Sequence, residues 1–90
     1  MAVRAKFRLD RVEQQLINTG AKNEDGSWQK TEMRTLILTP VYGNGDPSHE
    51  NTKFWKASPS GEIRLGTVNE QAWKQFELGA EYYIDFTKAE

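Results

Sequence analysis

Val3-Arg4-Ala5-Lys6-Phe7-Arg8-Leu9-Asp10 alternates apolar and charged side chains without interruption. A period of two marks a strand with one face on a core and the other in water. Val3, Ala5, Phe7 and Leu9 are expected to point inward, and Arg4, Lys6 and Arg8 outward. The phase breaks at Asp10-Arg11-Val12. That break calls for a bulge or bend before the strand runs on to about Ile17.

Working outward from this strand, residues 18–30 are polar and contain Gly20, Asn23 and an Asp25-Gly26 pair. Asp-Gly favours a tight reversal, so a long hairpin loop is expected here, with Trp28 at its far edge. Residues 31–42 are rich in β-branched and aromatic side chains, and Leu36, Ile37 and Leu38 are consecutive. They are expected to form the central strand, covered on both faces over that stretch. Pro40 donates no ladder hydrogen bond and belongs at an edge or a bulge. A turn-rich loop follows from Gly43 to Thr52.

Lys53-Phe54-Trp55-Lys56-Ala57 and Glu62-Ile63-Arg64-Leu65-Gly66-Thr67 flank Ser58-Pro59-Ser60-Gly61. Pro at the second turn position and Gly at the fourth predict a type I turn between two strands. Beyond Thr67 the pattern becomes helical. Thr67 and Glu70 have capping-box spacing, Asn69 is a rival cap, and Ala72, Trp73 and Phe76 share one face. Gly79 suits a left-handed cap after the helix. Tyr82-Tyr83-Ile84-Asp85-Phe86-Thr87 alternates again and closes the chain as a strand, with Tyr82, Ile84 and Phe86 inward. The predicted fold is mainly β. It is a single domain, residues 1–90, built as a small five-stranded antiparallel barrel, SH3-like or OB-like, with one short helix before the last strand.

Composition narrows the function classes. The 90 residues hold ten aromatics, enough to anchor a small core, and 12 basic against 13 acidic side chains, for a net charge of -1. That balance disfavours a strongly basic duplex-DNA binder. No Cys is present, which removes disulfides, thiol catalysis and Cys-ligated zinc. Mean hydropathy is -0.78, and no stretch approaches the roughly 18 apolar residues of a membrane span. The N-terminal residues show no signal-peptide pattern, so a soluble, intracellular protein without a membrane role is expected. A domain this small buries little surface, so the aromatics must pack well or the chain must associate with itself.

Catalytic chemistry finds little support in the residues. The single histidine, His49, lies in Asp46-Pro47-Ser48-His49-Glu50 and is read as a solvated loop residue. No second histidine and no recognised carboxylate spacing accompany it, so no metal site is assigned. No serine sits on a strained turn beside it, and Gly43-Asn44-Gly45 lacks the lysine and helix start of a phosphate loop. No catalytic residue and no cofactor are assigned, and the chain is expected not to be an enzyme.

Two surfaces are singled out for partners. If Ala57 pairs with Glu62, Trp55 stands opposite Arg64 and Phe54 opposite Leu65. Trp55, Arg64 and Lys53 would then form an exposed aromatic and basic platform, with Phe54 enclosed. The second surface is the outer row Arg4, Lys6 and Arg8. Residues 1–11 carry a side-chain charge of +3 (Arg4, Lys6, Arg8 and Arg11 against Asp10), and residues 69–90 carry -3 (two Lys against five acids), which predicts a dipolar molecule.

The segments Phe54-Trp55-Lys56-Ala57-Ser58-Pro59-Ser60-Gly61-Glu62-Ile63, Gly66-Thr67-Val68-Asn69 and Phe76-Glu77-Leu78-Gly79-Ala80-Glu81-Tyr82-Tyr83-Ile84-Asp85-Phe86 resemble a family of small uncharacterised proteins encoded by tailed bacteriophages and prophages. The opening Val3-Arg4-Ala5-Lys6-Phe7 is similar as well. The resemblance implies a phage product acting in the cytoplasm of a bacterial host, and it transfers no functional residues. The expectation that follows is a non-catalytic phage accessory protein. Its small β-barrel would bind a host, defence or phage protein, or a second copy of itself. The alternatives are a single-stranded nucleic-acid or nucleotide binder using Trp55, Arg64, Lys53 and the Arg4-Lys6-Arg8 row, and a virion or scaffold component.

Overall fold

The computed structural model describes residues 3–90 and is mainly β. In chain order it contains β1 (Val3–Lys22), β2 (Trp28–Pro40), α1 (Glu50–Trp55), β3 (Ile63–Thr67), α2 (Glu70–Trp73) and β4 (Glu81–Phe86). The four strands form one antiparallel sheet in the order β3-β2-β1-β4. The sheet is open, with β3 and β4 as its edges. This corrects the five-stranded barrel expected from the sequence, whether SH3-like or OB-like. One expected strand is a helix instead, and among the described residues no pairing joins the two edges.

The opening alternation does form a strand. Ala5, Phe7 and Leu9 are buried and meet Leu36 and Leu38 in one cluster, with Trp55, Ile63, Phe76, Tyr82 and Ile84 packed around it. Asp10 is the extra residue of a bulge: Leu9 pairs with Leu38, and Arg11 with Ile37. The bulge lets the strand continue in pairing with Val12 opposite Leu36, on the core side again. Ile37 points to the other face and is only 1% exposed. Arg11 and Arg64 are its neighbours on either side, and their aliphatic stems can shield it while their charges stay in water. The central strand is therefore covered on both faces at Leu36–Leu38, as its composition implied.

Helix α1 replaces the first strand of the expected hairpin. His49 caps it, its Nδ1 accepting the Asn51 N–H at 3.0 Å. This corrects the reading of His49 as a solvated loop residue, for it is half-buried and structural. Asn51 and Trp55 are four apart, so both reach the sheet. Lys56 ends the helix in the left-handed region at φ 54°. The partner of β3 is β2, with Ile63 opposite Leu38 and Leu65 opposite Leu36. Apolar cross-strand pairs on the core face outweigh the local turn at 58–61, which forms no ladder.

Asn51 explains why a helix belongs there. β2 ends at Pro40, and although the Val41 N–H still donates to the Lys6 carbonyl at 3.0 Å, the Lys6 N–H has no backbone acceptor on that side. The Asn51 side chain takes the vacant place. Its Oδ1 accepts the Lys6 N–H at 2.6 Å, and its Nδ2 donates to the carbonyls of Lys6 at 2.7 Å and Val41 at 2.6 Å. Asn51 is fully buried. An amide carries one acceptor and two donors, and all are used here.

The second helix is shorter than its sequence pattern predicts. It spans only Glu70–Trp73, and Asn69 rather than Thr67 is its cap, accepting the Gln71 N–H at 3.0 Å. Further turns lead to Gly79, which adopts φ 88° as expected of a left-handed position.

The main departure is a protruding arm. β4 pairs with β1 only as far as Arg8, and β3 pairs with β2 only from Arg34 to Leu38. The β1–β2 pairing nevertheless continues to Lys22 opposite Trp28. Most of the expected loop at 18–30 is therefore strand, and the reversal is confined to 23–27. There the Asn23 N–H donates to the Ser27 carbonyl at 2.7 Å and Gly26 adopts φ 88°. The molecule is 61 Å long, and its radius of gyration is 17.6 Å, against about 12 Å for a compact chain of this length.

Candidate protein-interaction surface

The outer face of the sheet is an ion-pair ladder. Arg4 meets Asp85 at 2.7 Å, Arg8 meets Glu81 at 3.1 Å, and Lys6 lies between Glu50 at 3.4 Å and Glu81 at 3.9 Å. The cause is register. β1 and β4 are antiparallel neighbours, so Arg4 stands opposite Asp85 and Arg8 opposite Glu81. Tyr83, opposite Lys6, lies under both cations, with the Arg4 guanidinium 4.5 Å and the Lys6 ammonium 5.3 Å from its ring centre.

The structure thus brings Arg4, Lys6 and Arg8 together as one row, but it places acids beside them. Part of the -3 segment, Glu81 and Asp85 on β4, lies beside the basic row of the +3 segment and offsets it locally. The Arg4 guanidinium, by hydrogen bonding to the Asp85 carboxylate, lowers that carboxyl's pKa below its usual range. A depressed carboxyl stabilises the fold above the ordinary carboxylate range and loses that contribution as pH falls through its folded value. Denaturation midpoints measured between about pH 5 and pH 2 should therefore fall, and the fall should be shallower in Asp85→Asn. Equal slopes in the two proteins would show that this pair contributes nothing.

The aromatic and basic platform is not assembled. Trp55 is half-buried in α1, its ring centre 6.1 Å from that of Phe7, so it covers the core. Phe54 is 46% exposed. The expected orientation of this pair is reversed because the segment is helical. Arg64 lies on the outer face of β3, tied to Glu62 at 2.7 Å and Glu13 at 3.7 Å. Lys53 is exposed in the last turn of α1. Trp55 and Arg64 therefore lie on opposite sides of the sheet.

The core-side face has the opposite character. Trp55, Phe76 and their neighbours cover its body, but the cover stops at the root of the arm. Val12, Leu36 and Leu65 form one cross-strand row, in which Leu36 is buried, Val12 is 36% exposed and Leu65 50%. Leu16, further along the same side, is 68% exposed. The charges between these residues are internally satisfied, since Arg34 meets Glu32 at 2.6 Å and Gln14 donates to Glu32 at 2.8 Å. The sequence carried a weak signal for this stripe. Past the bulge, Val12-Gln14-Leu16 keeps the two-residue period, but Ile17 interrupts the opposite phase and blurs it.

A shallow depression of about 200 Å³ is lined by Tyr42, Gly43, Gly45, Thr52, Lys56 and Pro59, among others. Lys56 is its one charged group, so it holds no acid–base pair. Among the described residues no three His, Asp or Glu side chains converge as metal ligands. Ser48 donates its hydroxyl to Asp46 at 2.8 Å rather than to His49. No helix among the described residues is long and apolar enough to cross a membrane. No protein-family model, no curated protein and no solved structure matches the chain.

Proposed function

We propose that this chain is a non-catalytic binding module that engages a protein partner through the arm and the apolar row at its root. The observation that supports this reading is the two-stranded arm itself. An isolated hairpin is marginal in water, and it gains stability only when a face is covered. Here the exposed apolar side chains lie on the side of the arm continuous with the core. The resemblance to small phage-encoded proteins supplies the setting, an accessory product in the cytoplasm of a bacterial host. Single-stranded nucleic acid is the weaker reading, because Arg4, Lys6 and Arg8 already face carboxylates and Trp55 offers no free stacking surface.

Affinity capture tests the proposal. The tagged chain, expressed in bacteria with an untagged copy, should retain a protein in fixed proportion, and Leu65→Glu should release it. Retention of nothing, or equal retention by both chains, would refute it. Tryptophan quenching by oligonucleotides that weakens with salt would favour the nucleic-acid reading instead.

A further inference from the structure

Surface area indicates what covers the arm. The molecule exposes 6748 Å², whereas a folded monomer of its mass exposes about 5,400 Å². The excess is about 1,400 Å² per chain, more than the roughly 800 Å² that each partner contributes to a standard interface. The arm has two faces, so its core-side face holds roughly half of this excess, and two chains paired through that face would bury about 1,400 Å² in total, the size of a standard interface. A compact partner brings no such excess of its own, whereas a second copy brings the same one.

Charge points the same way. Like meets like when one patch packs on its own copy across a two-fold axis, so a patch with unpaired charge of one sign would repel itself. The root of the stripe avoids this, for Glu32 is held by Arg34 and Gln14, and the cations Lys30 and Lys22, whose partners are the neutral Asn18 at 3.0 Å and the Trp28 ring, lie toward the tip of the arm. The outer face, with its hydrated ion pairs and its buried Ile37, needs no cover.

We infer that two copies of this chain pair through the core-side face of the arm, with Val12, Leu16 and Leu65 of one copy packed against the same residues of the other. The inference rests on the protein-binding reading and names its partner. Sheet-on-sheet packing of two such faces closes a sandwich over what is a half-covered sheet in one chain.

Light scattering across a concentration series tests it. The expected mass is twice 10.3 kDa. Leu16→Glu should raise the dimer dissociation constant by on the order of 100-fold, because one exposed leucine is lost from each side of the axis. Leu16 is 68% exposed in the single chain, so the variant should keep the wild-type circular dichroism and fold as a monomer. Glu13→Gln, on the outer face, should leave the dimer intact. Amide exchange provides a second readout, with slow exchange in residues 14–22 and 28–33 of the dimer and fast exchange in Leu16→Glu. A wild-type chain at 10.3 kDa throughout overturns the inference, as does a dimer unaffected by Leu16→Glu. A monomer that still retains another protein in the capture assay, and releases it on Leu65→Glu, overturns self-pairing alone. A monomer that retains nothing overturns both readings.

Discussion

Asn51→Asp should leave little folded protein at neutral pH. The Nδ2 group that donates to the carbonyls of Lys6 and Val41 would become a carboxylate oxygen facing two acceptors in a site closed to water. An uncompensated buried charge costs on the order of 3–5 kcal/mol. The whole fold is worth about 5–13 kcal/mol for a chain of this length, and its small core argues for the lower end. Asn51→Ala is milder but still severe, since it orphans the Lys6 N–H and the Val41 carbonyl at about 1–3 kcal/mol each. Urea denaturation separates the two. Asn51→Asp should regain stability on acidification, because a protonated carboxyl can donate one of the missing hydrogen bonds. Its pKa would be raised by burial, so its penalty fades as pH falls, opposite in sign to the acid response of the Arg4–Asp85 pair. Wild-type stability in Asn51→Asp would refute the role assigned to this amide.

Trp55→Ala should cost about 2–4 kcal/mol, and Phe54→Ala less than about 1 kcal/mol. The two rings are neighbours in sequence, with centres 4.6 Å apart, yet only Trp55 packs onto Phe7 and the core cluster. Removing the indole opens a gap over the thin core, whereas removing the half-exposed phenyl mainly strips surface. Denaturation midpoints of the two variants give the comparison directly. Similar losses, or a larger loss for Phe54→Ala, would mean that the indole does not cover the core.

Much of the sheet was legible because its period is local. The first strand announces itself by strict alternation, the bulge by the break at Asp10, and the central strand by Leu36-Ile37-Leu38. The reversal at Asp25-Gly26 was legible too, although the strands continue closer to it than the polar residues 18–22 imply. Those residues have poor strand propensity and are held by the pairing of Asn18 with Lys30 and of Lys22 with Trp28, a tertiary effect that composition does not reveal. The hairpin at 53–67 failed for a related reason. A plausible turn at 58–61 competed with a helix whose justification lies 45 residues away, in the Lys6 N–H that Asn51 accepts. Nothing within 50–57 says that Asn51 will serve as a strand partner. The candidate platform fell with the hairpin, since its grouping rested on that register. The basic row survived as geometry, but its neutralisation by β4 depended on strand order, which a chain of short strands leaves open.

The additional residue at Asp10 bears on the shape of the whole molecule. Leu9 keeps Leu38 and Arg11 keeps Ile37 around it, so every inward and outward assignment along the ribbon would be the same without it. What the insertion alters is curvature, because an unmatched residue bends and further twists the strand that carries it. A single codon therefore sets the angle at which the projecting ribbon leaves its base, and related chains could re-aim it without changing any side chain that it presents.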